Sequence, residues 1–204
     1  MARYTGPTDK VSRRFGVALF GPSKALENRA FPPGQHGPKM ARRRKQSDYA
    51  LMLAEKQKLR MQYGVLEKPF RRLFAEAVRR RGVTGEILIQ LLELRLDNVV
   101  YRMGLSNTRR GARQLVGHGH IHVNGVRTDV PSYSCKPGDK ITVHDNAGSK
   151  QLALRGLEKT QYVPAPDWVT LDKETLEGVV ARVPERSEVD PQVDEQMVVE
   201  FYSR

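Results

Sequence analysis

Apolar side chains recur along this 204-residue chain with two different periods, and the change of period divides it. From Leu94 the spacing is helical. Leu94, Leu96, Val99, Val100 and Met103 share one face, Asp97 and Asn98 fall on the polar side, and Gly104 stops the run. Ser106 or Thr108 can cap a second helix, in which Ala112, Leu115 and Val116 are inward while Arg109, Arg110, Arg113 and Gln114 point elsewhere. Gly117 and Gly119 end it. The period then drops to two: Ile121 and Val123 alternate with His120 and His122 as a half-buried strand. Asn124-Gly125 is a strong hairpin signal, and Val126 to Val130 is the returning strand. Lys136-Pro137-Gly138-Asp139 turns again, and Ile141 to Val143 forms a third strand.

Upstream the pattern is helical throughout. Ser47 caps a predicted helix over 48–63, closed by Gly64, with Leu51, Met52 and Leu59 inward and Glu55, Lys56 and Lys58 solvated. Pro69 suits the first turn of a second helix, where Phe70, Leu73, Phe74, Ala77, Val78 and Arg81 follow helical spacing up to Gly82. Thr84 starts a third, whose Ile87, Leu88, Ile89, Leu91 and Leu92 are apolar enough for a bundle core. Downstream, Ser149 caps a helix carrying Leu152, Leu154 and Leu157, and 164–166 is a linker. Trp168 to Leu171 and Gly178 to Val183 pair as strands, and Asp194 caps a last helix from Glu195 to Tyr202. Residues 1–45 show little periodicity. Phe15, Val17, Leu19 and Phe20 anchor at most a short segment there, and the prolines and glycines of 31–38 exclude helix. The class is α+β: a basic N-terminal arm and a small helical domain, followed by a helix-turn-helix with a small antiparallel sheet.

Charge adds a partner to this picture. The formal net charge is +12 and the pI about 10, which argues for a polyanion. Residues 1–45 hold eleven Lys/Arg against two acidic residues, whereas 163–204 hold four against ten. A polyanion is therefore expected at the arm and the middle, with the acidic tail turned away or toward a basic protein. Cys135 is the lone cysteine, which excludes a disulfide framework and suits a reducing cytosol. No apolar run approaches the ~18 residues of a membrane span, and the N-terminus lacks the apolar core of a signal peptide, so a soluble cytoplasmic protein is expected.

Candidate chemistry is sparse. The sequence has no phosphate-binding glycine-rich loop, no dinucleotide fingerprint and no HExxH zinc motif. His118, His120 and His122 alternate, and three imidazoles can hold zinc. No carboxylate is placed to orient them, however, and two glycines loosen the segment, so contact with phosphate or sugar is the better use. A charge run is most often a plain solvated face. Five arginines on one helix (Arg71, Arg72, Arg79, Arg80 and Arg81) favour phosphate contact, and Arg42, Arg43 and Arg44 make an arm that can order on RNA.

The residues RLDNVVYR at 95–102, ARQLV and GHGHI across 112–121, VNG at 123–125, PSY at 131–133 and PGD at 137–139 resemble, in order, the small RNA-binding domain named after ribosomal protein S-four. MARYTGP at the start, FPPGQHG at 31–37, SDYA at 47–50, EKQKLR at 55–60 and EFYSR at the end extend that resemblance to the bacterial S-four family over nearly the whole chain. The resemblance implies a 1–45 arm, a 46–92 helical domain on which 184–204 packs back, and an RNA-binding domain with its extension over 93–183. It implies binding to a helix junction in the 5′ domain of 16S ribosomal RNA, nucleation of small-subunit assembly, and a contribution to decoding accuracy. The implied neighbours are ribosomal protein S-five and, in some bacteria, the protein's own messenger. RNA contact is carried over to Arg109, Arg110, Arg113, His118 and His120, and also to Arg42, Arg43, Arg44, Arg71 and Arg72. No catalytic residue, cofactor or membrane contact is implied. Some family members bind zinc through an N-terminal cysteine cluster. Residues 1–45 here hold no cysteine, so packing is expected to secure the arm, with 17–28 standing where the cluster would be.

Similar modules are appended to pseudouridine synthases and tyrosyl-tRNA synthetases, but an RNA-modifying enzyme needs a separate catalytic domain of ~100 residues or more. Here the module sits mid-chain and its flanks carry no catalytic motif. A DNA-binding helix-turn-helix is disfavoured by the abutting sheet and the lack of a dimerisation element. Arg109 and Arg113, off the Ala112 face, are expected to be replaceable at little cost to the core.

Overall fold

Helix punctuation and the switch of hydrophobic period place most elements of the computed structural model, which describes residues 3–40, 47–189 and 192–203. The chain forms two units, Met1–Ile87 with Asp190–Arg204, and Leu88–Val189. In the first, α1 (Thr8–Phe15), α2 (Lys24–Asn28) and α3 (Gly37–Met40) build the arm. Polar bonds hold it where apolar periodicity is missing. Arg13 Nε donates to the carbonyls of Arg29 (3.1 Å) and Phe31 (3.2 Å), and its guanidinium lies 5.1 Å from the Phe31 ring centre. Ser23 caps α2 and donates to Asp9. The helical turn at Gly37–Met40 corrects the expectation for 31–38: Pro38 falls in the first turn, where its missing N–H has no intrahelical partner to lose.

Ser47 accepts from Ala50 N and starts α4 (Asp48–Gln62). Met52 and Leu59 are buried as expected, but Lys56 is too, against the expectation that it is solvated. Its ammonium pairs with Glu67 at 2.9 Å under the Phe201 ring (4.7 Å) and the Tyr202 ring (5.7 Å). Glu67 opens α5 (Glu67–Arg79), in which Phe70 and Ala77 are fully buried. α6 (Thr84–Glu93) follows and carries the chain into the second unit.

The second unit starts from α7 (Leu96–Arg102) and α8 (Arg109–Gly117), the latter capped by Thr108. Leu96, Val99, Val100, Ala112 and Val116 are fully buried, and Leu115 is partly so. Strands β1 (Ile121–Val123), β2 (Val126–Arg127) and β3 (Lys140–Val143) pack Ile121, Val123 and Ile141 against them. Asn124 (φ 51°) and Gly125 (φ 81°) both take the left-handed backbone that a two-residue hairpin demands. The Asn124 amide also donates to Asp139 Oδ1 (2.9 Å) and accepts from Lys140 N (2.9 Å), tying the hairpin to the Lys136–Asp139 turn.

Next come α9 (Ala147–Thr160), β4 (Val169–Asp172) and β5 (Glu177–Val180). The last two pair as expected and also join the first three in one antiparallel sheet of order β2-β1-β3-β5-β4, with Ile141 opposite Gly178. Fully buried Trp168 belongs to the same core. α10 (Glu195–Ser203), capped by Asp194, returns to α4 in the first unit. Among the described residues no helix is long and apolar enough to cross a membrane.

α9 departs from its sequence reading. Asn146, not Ser149, accepts the capping bond, and Leu152 and Leu154 are exposed. Its inward face is instead made of small residues: Ser149, Ala153 and Gly156. A Cβ on Gly156 would lie 2.0 Å from the Leu105 carbonyl oxygen, so the helix rests directly on backbone. One turn on, Thr160 Oγ1 donates to Gly104 O at 2.8 Å. Gly→Ala inside a helix ordinarily stabilises by up to ~1 kcal/mol. At this contact Gly156→Ala is expected instead to destabilise by about 1–3 kcal/mol. A urea-denaturation midpoint above that of the parent protein would refute the close packing.

Candidate nucleic-acid interface

Two buried carboxylates set the α7–α8 surface. Glu93, at the end of α6, is fully buried and receives Arg102 through two bonds, Nε to Oε2 and Nη2 to Oε1, each 2.8 Å. Asn98 Nδ2 also donates to Oε2 (2.7 Å), and Arg109 Nη2 stands 3.9 Å from Oε1. Asp97 receives Arg95 at 3.1 and 2.8 Å and Arg113 at 2.8 Å. Arg109 Nε also donates to Asn98 Oδ1 (2.8 Å), and its guanidinium lies 4.6 Å from the Tyr101 ring centre. Asp97 and Asn98, expected on a polar side, are therefore buried beneath the arginines of α8. This corrects the expectation for Arg109 and Arg113 as well. They lie off the apolar face, but their heads are held in this lattice rather than solvated. Arg110, between them, is exposed.

α8 ends in a tight turn that leads into β1 and brings the histidines together. His118 is exposed, and its ring centre is 6.1 Å from that of His120. His120 Nδ1 is 2.8 Å from the hydroxyl of buried Ser149. Burial, then the neighbouring His118, His144 and Arg127, hold its pKa below the ordinary histidine value. His122 and His144 meet edge-on at 5.0 Å. Among the described residues no group of three His, Cys, Asp or Glu side chains could hold a metal. The Cys135 thiol is buried and pushed up to about 12 by that burial, with Asp139 and Asp97 adding to it, so it is inert at neutral pH.

A groove of about 350 Å³ separates α8 from α9, with Asn107, Gln114, His118 and His120 on one wall and Leu152, Arg155 and Lys159 on the other. Sequence reasoning missed Arg155 and Lys159. Their i, i+4 spacing was the available signal, obscured by the nearby leucines at 152, 154 and 157. Arg71 and Arg72 are exposed on α5, beside a hollow of about 430 Å³ with Glu67, Lys68 and Ala75. Arg79, the last residue of that helix, and Arg80, just beyond its end, are paired with Glu76. Arg42, Arg43 and Arg44 lie outside the described residues.

Comparison with known proteins agrees along the whole chain. The family model described as the ribosomal protein S4/S9 N-terminal domain matches residues 3–93, and the S4 domain model matches residues 94–141. Over all of this chain and all of each relative, the sequence is 67% identical to the small ribosomal subunit protein uS4 of Akkermansia muciniphila. It is 54% identical to the proteins of that name from Opitutus terrae and Halalkalibacterium halodurans.

Removing Glu93 strands two guanidiniums. Glu93→Ala is expected to destabilise by about 2–4 kcal/mol, below the ~3–5 of a wholly buried pair because Arg102 and Arg109 can reach water. Arg110→Ala, at an exposed position, is expected to cost no more than about 1 kcal/mol. Equal losses for the two in denaturant titrations would mean that the lattice is not what holds the helices.

His120 yields a pH prediction. Folded His120 binds its proton at lower pH than an unfolded histidine does. As pH falls below about 6.5 the unfolded state therefore binds more protons, and folding weakens. Ring-proton NMR of the free protein is expected to give a midpoint below 6.5, and a midpoint at or above that value would contradict the burial.

Proposed function

The chain belongs to the uS4 family of small ribosomal subunit proteins, and on that premise we propose how its surface meets RNA. It is a structural constituent of the small subunit in the cytoplasm, a binder of ribosomal RNA and not an enzyme. One observation carries the reading of its surface: buried Glu93 and Asp97 lock α7 to α8 and hold the α8 arginines in fixed register. In this reading Arg110, His118 and His120 touch the RNA backbone directly. Arg109 and Arg113 act mainly as positioning residues that aim α8. Arg71 and Arg72 add a second contact on α5, and Arg42, Arg43 and Arg44 extend it along the arm.

The finer roles follow from the resemblance and from charge. Early binding by this face nucleates folding of the RNA around it and so assembly of the subunit body. The acidic stretch 163–204, with exposed Asp167, Asp172, Glu174 and Glu177, suits a basic protein neighbour, for which ribosomal protein S-five is the candidate. Decoding accuracy is then sensitive to that contact, and the protein's own messenger is a second RNA target. Crosslinking in cells followed by sequencing of the attached RNA tests the whole reading: small-subunit ribosomal RNA is expected to dominate, and recovery of unrelated transcripts alone would defeat it.

Phosphate contacts dominate this mode of binding, which fixes its response to salt. Neutralising roughly 6–10 phosphates is expected to lose about 10³–10⁵ in affinity between 50 and 200 mM salt. Filter binding to transcribed ribosomal RNA measures this, and an affinity nearly flat over that range would remove phosphate contact as the main source of binding.

A further inference from the structure

We propose that the groove between α8 and α9 is a subsite for one unstacked ribonucleotide, its phosphate on Arg155 and Lys159 and its base edge on Asn107 and Gln114. The inference rests on the RNA-binding reading above and extends it to α9, which lies beyond residue 141, where the S4 domain match ends.

Several observations converge on it. Arg155 and Lys159 are exposed, and among the described residues no carboxylate lies within ion-pairing distance of either, unlike Lys150 on the same helix, which pairs with Asp145. They are therefore cations without a structural task, on the wall of a groove whose other wall carries His118 and His120. The groove is preorganised. Gly156, between the two cations in sequence, sits against the Leu105 backbone, and Thr160, next to Lys159, is bonded to Gly104 O. The helix that carries the two cations is thus fixed against the turn that leads into α8, and binding need not order it. His120 is held through Nδ1 by Ser149, which leaves Nε2 as the ring nitrogen for a ligand.

The lining also matches a nucleotide's chemistry. Asn107 and Gln114 offer amide donors and acceptors suited to a base edge, and Leu115 and Leu152 offer apolar surface to its face. The volume is near the lower end of the roughly 300–1,000 Å³ of small-molecule sites, right for one nucleotide and too small for a duplex. Sequence-specific RNA recognition favours bases splayed out of loops and junctions, which are the nucleotides able to enter such a groove.

The test uses the full chain and a transcript of bacterial small-subunit ribosomal RNA. Arg155→Ala with Lys159→Ala is compared with the parent and with Lys173→Ala, a control in the β4–β5 turn. The double variant is expected to bind at least about tenfold more weakly and to flatten the salt slope by about one, with Lys173→Ala unchanged. In parallel, lysine acylation of the unaltered protein is read by mass spectrometry, so that the test survives a variant that fails to fold. RNA is expected to shield Lys159 and leave Lys173 reactive. Parental binding with a double variant within twofold, an unchanged slope and Lys159 as reactive as in free protein would overturn the groove while leaving the RNA-binding reading intact. A parent that binds this RNA no better than duplex DNA would overturn the reading beneath it.

Discussion

Burial of Glu93 and Asp97 is the constraint from which the RNA-facing half of this protein follows. An ionised carboxylate in a protein interior loses several kcal/mol of hydration, and only near-complete pairing offsets that loss. Each carboxylate here is met by guanidiniums, and Asn98 adds a second bond to Glu93 Oε2. The same bonds that satisfy the anions fix α7 against α8, because Arg109 and Arg113 come from one helix and Asp97 and Asn98 from the other. Four guanidiniums (Arg95, Arg102, Arg109 and Arg113) surround two carboxylates, so the lattice keeps a cationic excess even when every acceptor is filled. Structural pairing and attraction for a polyanion are therefore compatible on one surface.

The lattice and the outer cations also respond to solution conditions on different scales. At 0.15 M salt, charges farther apart than about 8 Å in water are largely screened, whereas close, partly buried pairs are much less so. Ionic strength that screens an anion at exposed Arg110 or Arg155 therefore leaves Glu93–Arg102 in place. Association is adjustable, while the geometry that makes it selective is not.

The order of elements was legible because local chemistry dictated it. Ser47, Thr108 and Asp194 cap helices, Asn124-Gly125 makes a hairpin, and the period of β1 chooses its inward face, whereas Leu51 on α4 and Val78 on α5, read as apolar contacts, are exposed. What was not legible depended on partners distant in sequence. Lys56 reads as solvated until Glu67, Phe201 and Tyr202 are brought over it. Asp97 and Asn98 read as a polar face because nothing local shows that α8 will cover them. In the arm, Arg13 replaces apolar periodicity with bonds to two backbone carbonyls, a pattern that hydrophobic spacing does not record. For the candidate RNA contacts, residue type was readable and burial was not: Arg109 and Arg110 are neighbours in sequence, and only the structure separates one partly buried in the lattice from one exposed on the surface.

The return of α10 to the first unit carries a consequence in time. Burial pushes the Glu67 carboxyl up, but Lys56, the donated Tyr202 hydroxyl bond (2.9 Å) and Arg60 outweigh it and hold the group below its usual range. Tyr202 in turn is pushed far above its ordinary value by its own burial and by Glu67. On a growing chain, residues 88–189 are joined before residues 195–203, since synthesis runs from the N-terminus. The second unit thus has every strand it needs while Lys56 still lacks its aromatic cover. The N-terminal unit, though its first residues are translated first, is thus the one whose last helix is made last.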